Sequence, residues 1–344
     1  MPDYRVIDAD GHVDPAPVCD WNKYVRSPFG EIADQMAKKG YDVNGDRTTT
    51  RRGGFDPVAR IADMDEEGID VTVLFGGTMG ISTGPGEPPG LGPAIAEGYN
   101  NWLHDFCSHN QDRLRGAAIV APEDIVQACK EARRAVTELG AVGIAWRPVF
   151  TDTVIDDPAF FPLYQVAEEL DVPVLVHGPG DVRQWLSQRY HTHFRRHAVD
   201  FPISLMMASM DVVCGGLLEK FKRLRIAFLE GSVGWVPWWL DRLDEHFEKL
   251  PHHVPHIREK PRELAQRYIQ EGRLFFSCEP DEAYLPFVAD AIGDDFIVYA
   301  SDYPHWDAIY PGSVRAISER AELPEGTRRK ILGENAARLF GAHF

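Results

Sequence analysis

Asp10 and His12 stand two residues apart at the end of a short apolar run, VIDADGHV. In an extended segment, residues at that spacing project to the same side. A carboxylate and an imidazole facing inward from a hydrophobic strand lose their water, and something must offset that loss. A divalent metal does so, and a mixed His and carboxylate set suits zinc, manganese or iron(II). His177 in VPVLVHGPG and Asp302 in IVYASDYPH end apolar runs in the same way. Singly, each has an ordinary reading: a hydrogen-bonded Asp–His pair, a satisfied core histidine, a helix N-cap. Together, Asp10, His12, His177 and Asp302 point to one metal site.

Glu230 in RIAFLEGS occupies the same class of position. It reads either as an acid, base or ligand of that site, or as a buried carboxylate paired with Arg147 of AWRP. Arg147 has its own second reading, a bidentate clamp on a substrate carboxylate. The stretch 185–198, WLSQRYHTHFRRHA, is long enough to fold over a site and carries His191, His193 and His197. His191 and His193 do not share a helix face at their spacing, which disfavours a second metal pair. His197 is either solvated or a site-lining proton carrier. His305 and Asp307 follow Asp302 closely and are candidates to hold it by hydrogen bonds, His305 also to touch substrate. The run His252, His253 and His256 reads as surface, and Cys278 lacks an adjacent base that would make it a nucleophile. Trp235, Trp238 and Trp239 read as an interface or a pocket wall.

The elements that must position these residues alternate along the chain. Apolar runs at 5–10, 71–75, 116–120, 141–146, 172–177, 225–230, 273–278 and 297–302 read as strands. Amphipathic stretches at 57–67, 93–110, 125–139, 158–170, 236–250, 284–292 and 325–340 read as helices between and after them. Runs such as VTVLF and VPVLV suit strands buried on both faces of a parallel sheet. Eight regular units favour a closed (β/α)8 TIM barrel over an open sheet, with catalytic residues at the C-terminal strand ends. The polar stretch 41–54, the Gly/Pro-rich stretch 76–93 and the helical stretch from His177 to about Lys220 read as insertions after strands 1, 2 and 5. The expectation is one barrel domain over 1–344.

Composition narrows the partners. Asp plus Glu outnumber Lys plus Arg by 53 to 36, a net charge of −17 that repels phosphate backbones and disfavours nucleic acid. The five cysteines are widely spaced, with no C-x-x-C, so neither a disulfide framework nor a zinc knuckle is indicated. No basic and then apolar leader opens the chain, and no stretch reads as 18 successive apolar residues. The expectation is a cytoplasmic protein without a membrane partner.

The motifs IDADGHV, VHGPG, RIAFLEGSVGWVPWWLDRL, YASDYPH and KILGENAARLFG, in that order, resemble the amidohydrolase-related family, in the branch with aminocarboxymuconate semialdehyde and γ-resorcylate decarboxylases. The resemblance implies a barrel with a divalent metal at its C-terminal face. It places the first-strand ligands on Asp10 and His12, the fifth-strand histidine on His177 and the eighth-strand aspartate on Asp302. Many members begin with H-x-H, where this chain has Asp10. Family decarboxylases place a catalytic histidine at the end of strand six, where this chain has Glu230.

The resulting expectation is metal-dependent hydrolysis or non-oxidative decarboxylation of a small organic carboxylate. Asp302 is the general base in the hydrolytic version, with Glu230 or His197 moving the second proton. In the decarboxylating version a protonated acid delivers its proton to carbon. The alternatives are a dinuclear non-haem iron or manganese monooxygenase, with Asp10, Glu230 and Asp302 as carboxylate ligands, and a catalytically silent partner subunit. A homodimer or higher assembly is expected, a hetero-oligomer being the other option.

Overall fold

The computed structural model describes residues 2–14, 18–43, 51–76 and 88–344. Its sheet has eight strands: β1 (Ile7–Val13), β2 (Val71–Gly76), β3 (Leu114–Ala118), β4 (Gly143–Trp146), β5 (Val174–His177), β6 (Ile226–Leu229), β7 (Leu274–Cys278) and β8 (Ile297–Tyr299). They are ordered as in the chain, and each pairs in parallel with the next. The ends meet where Asp302 N donates to Asp10 O at 3.0 Å and His12 N donates to Tyr303 O at 2.7 Å. With helices between the strands, this is the (β/α)8 barrel expected from the alternation. Apart from Arg115 every strand residue is buried, as strands flanked on both faces require.

Local chemistry sets the boundaries. The helix Pro57–Glu67 starts at Asp56, whose carboxylate accepts from Val58 N and Ala59 N, has proline in its first turn, and stops at Gly68 in left-handed backbone. Three strands, β3, β6 and β8, end earlier than their apolar runs. Glu230 and Asp302, expected as the last residues of β6 and β8, sit just past the strands with φ of 60° and 52°. A left-handed residue turns the chain out of the sheet ladder, so the strand stops before it. Conversely, β1 runs on to Val13 and carries both Asp10 and His12. The helices Gly30–Val43 and Pro261–Gln270 were not foreseen. The first opens on glycine within a polar stretch; the second follows the Pro/His run 251–256 and carries a short apolar stripe of Leu264, Ala265, Tyr268 and Ile269. Residues 44–50 and 77–87, within the stretches 41–54 and 76–93, lie outside the described residues.

The stretch after β5 folds as Val182–Arg189, His193–Cys214 and Leu217–Lys220. The last two form one length, apolar and long enough by composition to cross a membrane, which corrects the expectation that no such segment exists. Half of its apolar window is buried within the fold. Leu205, Ala208, Val212 and Val213 pack into the barrel core.

This helix also carries Asp211, whose pKa burial and the nearby Asp156 push up to about 7. The folded state therefore holds a proton that the unfolded chain releases above about pH 4. Stability from this group is complete below that pH and is lost as pH rises through 7. Asp211→Asn, which cannot ionise, is expected to melt a few degrees above the wild type at pH 8, the gap closing toward pH 5. Thermal unfolding at the two pH values checks this; equal midpoints at pH 8 would refute it.

Candidate metal centre and its cavity

Asp10 and His12 are held in place by a buried network beneath them. The Asp8 carboxylate accepts from Ser301 N at 2.8 Å, Ser301 Oγ at 2.7 Å and Thr72 Oγ1 at 2.7 Å, tying β1 to β2 and to the turn after β8. Arg60 Nη1 donates to His12 O at 3.0 Å. Between Asp8 and Gly11 the β1–β2 register shifts. Glycine is required there, since a Cβ on Gly11 would lie 2.5 Å from Arg60 Nη2 and from Thr72 Oγ1. This irregularity turns Asp10 and His12 into the barrel interior while the network fixes the Asp302 turn.

Above it, the side chains converge. His177 Nε2 lies 2.9 Å from Asp10 Oδ1, and His12 Nε2 lies 3.4 Å from Asp10 Oδ1 and 3.2 Å from Asp302 Oδ1. Asp10, His12 and His177 are buried. One imidazole nitrogen cannot satisfy two carboxylates, and Asp10 Oδ2, both His12 nitrogens and His177 Nδ1 are left without hydrogen-bond partners. Orphaned buried donors and acceptors of this kind are rare. Ligand atoms bound at about 2.0–2.2 Å around a single ion lie roughly 3.0–3.5 Å from one another, the spacing found here. The set therefore fits a divalent ion.

The electrostatics agree. Burial opposes charge on His12, but Asp10 and Asp302 outweigh it and hold its pKa well above the usual value. Burial likewise opposes ionisation of Asp302, yet His305 and His12 outweigh it and depress its pKa. Burial lowers His177 against the pull of Asp10. A cluster with such opposed demands is stabilised when a cation replaces its protons.

Around this core, Glu230 Oε2 lies 3.4 Å from His177 Nδ1, and Glu230 Oε1 lies 3.9 Å from His305 Nδ1. Burial, then the Asp302 charge, raises the Glu230 pKa well above the carboxylate range. His305 Nδ1 is 2.7 Å from Asp302 Oδ1, and its ring stacks on His12 at 4.0 Å. A cavity of about 390 Å³ opens beside Asp302 and Glu230, walled by Phe201, Trp235 and His197. His197 and Ala198, at the end of the 185–198 stretch, line it, and His197 faces Asp307 at 3.9 Å. His193 packs on His197 and Trp306.

Some expected pairings are absent. Arg147 does not partner Glu230: its Nη1 binds Asp181 Oδ1 at 2.9 Å, because the chain after β4 turns it toward the loop after β5. Among the described residues it does not line the cavity. His256 Nε2 lies 2.6 Å from Cys214 O, and none of the 252–256 histidines belongs to a ligand group. Burial pushes the Cys278 thiol far up, away from nucleophilic use. Of the three tryptophans, Trp235 lines the cavity and Trp238 is exposed. Glu279 also lines it and was missed. The signal was present, since Glu279 directly follows the apolar run ending at Cys278, the position that drew notice in the other strands.

The sequence profile of the amidohydrolase family matches residues 7–342. The 2-amino-3-carboxymuconate-6-semialdehyde decarboxylase of Dictyostelium discoideum is 25% identical over 289 residues, covering 83% of this chain and 77% of that protein. The γ-resorcylate decarboxylase of Rhodococcus jostii is 24% identical over 292 residues, covering 82% and 86%. The 5-carboxyvanillate decarboxylase of Novosphingobium aromaticivorans, crystallised with manganese and 4-hydroxy-3-methoxy-5-nitrobenzoic acid, superposes with a TM-score of 0.73 at 22% identity, over 98% of this chain and 96% of that one.

Proposed function

This chain belongs to the amidohydrolase family, and we propose that it is a divalent-metal-dependent, non-oxidative decarboxylase of a small aromatic carboxylate. The observation that carries this reading is the convergence of Asp10, His12, His177 and Asp302, with orphaned polar atoms, beside a cavity that holds a further carboxyl group, Glu230. The decarboxylase relatives support the reaction type.

Asp10, His12, His177 and Asp302 would hold the ion. When bound, it supplies Lewis-acid charge for the substrate's carboxylate and neighbouring oxygen. His305 holds Asp302 ionised and fixed through their 2.7 Å contact. Glu230 is the proton donor, standing on the cavity wall where family decarboxylases carry a histidine. It gives its proton to the ring carbon that bears the carboxylate. The bond between that carbon and the carboxylate then breaks, its electron pair returns to the ring, carbon dioxide leaves, and Glu230 regains a proton from solvent. Phe201 and Trp235 supply apolar walls for an aryl group.

The dinuclear oxygenase is not favoured. The two ligand groups, Asp10–His12–His177 and His12–Asp302–His305, share His12 and describe one centre among the described residues. The silent-subunit alternative lacks support from any relative above.

Manganese-loaded protein incubated with a panel of hydroxy- and amino-substituted benzoates in D2O tests the reading. One carbon dioxide per substrate is expected, with one deuterium at the vacated carbon and no oxygen uptake. Oxygen consumption, or hydrolysis without carbon dioxide, would overturn it.

A further inference from the structure

The cavity beside the metal centre is poorly suited to a purely anionic substrate. Its lining includes Glu230, Glu279, Asp281, Asp302 and Asp307, and among the described residues no lysine or arginine. Among the described residues His197 is the one basic side chain there, and it already faces Asp307. A divalent ion would balance the charges of Asp10 and Asp302, which would hold it. Of the others, Glu230 is kept protonated by burial and Asp307 faces His197, while Glu279 and Asp281 have no cationic side chain beside them on the cavity wall among the described residues.

Glu279 is the least satisfied of them. Its neighbour Glu282 is committed to structure, accepting from Val233 N at 3.0 Å and also from Gly234 N. The Glu279 carboxyl has no hydrogen bond or ion pair to any described residue. After burial, the groups that act on it most strongly, Asp302, Glu282, Asp10 and Asp307, are acidic. A carboxyl held in acidic surroundings and facing a cavity lacks the positive partner that such groups ordinarily have. Trp235 lines the same cavity, and an indole ring also attracts a cation.

We infer that the substrate is a small zwitterion, an aryl carboxylate that also carries a protonated amine, and that Glu279 is the residue that anchors the amine. The inference rests on the decarboxylase reading of this cavity for the carboxylate end. The amine end follows from the lining alone. Its recognition is a charge-assisted hydrogen bond from ammonium to carboxylate.

Calorimetric titration of the manganese-loaded full chain separates the two ends. The probes are 3- and 4-(aminomethyl)benzoate, the matched 3- and 4-ethylbenzoates, and benzylamine. At least one aminomethyl compound is expected to bind about tenfold or more tighter than its ethyl isostere. In Glu279→Gln that preference should fall below about twofold, with ethylbenzoate affinity unchanged. Ethylbenzoates that bind as well as both amines overturn the anchor and leave the decarboxylase reading standing, as does a preference that survives in Glu279→Gln. Benzylamine that binds only when Glu279 is present, while no benzoate binds, supports the anchor and counts against the carboxylate reading. Absence of binding by every probe overturns both. Glu279→Gln is expected to melt no lower than the wild type, since no hydrogen bond is removed and burial already disfavours the charged carboxylate.

Discussion

His177→Ala is expected to fold, to lose its divalent ion and to lose activity by more than about a thousandfold. The imidazole is buried, its Nε2 lies 2.9 Å from Asp10 Oδ1, and its removal leaves two carboxylates and one histidine for the ion. Loss of one ligand from a four-residue set of this kind removes most of the affinity, because the remaining groups no longer enclose the ion. The measurement is ions per chain by elemental analysis after dialysis against a weak chelator, with a melting curve run with and without manganese. The wild type should hold close to one ion and melt higher with it. The variant should hold about a tenth of that or less and melt at one temperature in both conditions. One ion per chain in His177→Ala would remove His177 from the site.

Glu230→Gln is expected to separate turnover from metal binding. Glu230 sits outside both ligand groups, 3.4 Å from the far nitrogen of His177. A glutamine keeps the shape and offers no transferable acid proton. Turnover should fall by about 10²–10⁴, the usual contribution of a positioned proton donor, while ions per chain stay at the wild-type level. An ion lost together with the activity would place Glu230 among the ligands. Unchanged turnover would dismiss it as the donor.

The site was largely legible because its residues obey a rule that sequence can express. Asp10, His12, His177 and Asp302 each follow or interrupt an apolar run, and eight such runs in alternation leave few other folds. The left-handed backbone at Glu230 and Asp302 was not legible, since residues other than glycine adopt it only when tertiary contacts impose it. Asp302 is so constrained by its backbone bond to Asp10 O and by His305. The pairing of Arg147 with Glu230, one of the readings its position allowed, is not made, because strand position says nothing of how the following loop turns, and Asp181 arrives from a loop whose path depends on left-handed Gly180. Glu279 was overlooked although it obeys the same rule as Glu230, one residue beyond its strand.

The hydrogen bonds that join the first strand to the turn after the last are made by the residues of the site itself, Asp302 to Asp10 and His12 to Tyr303. During synthesis, Asp10 and His12 leave the ribosome well before Asp302 and wait for it, with nearly all of the barrel to be made between them. Such widely separated contacts form late. Catalytic competence therefore arrives at the moment the cylinder shuts. An ion seated across that seam would act as its latch, and a chain interrupted before Asp302 would be inert however much of its sheet had formed.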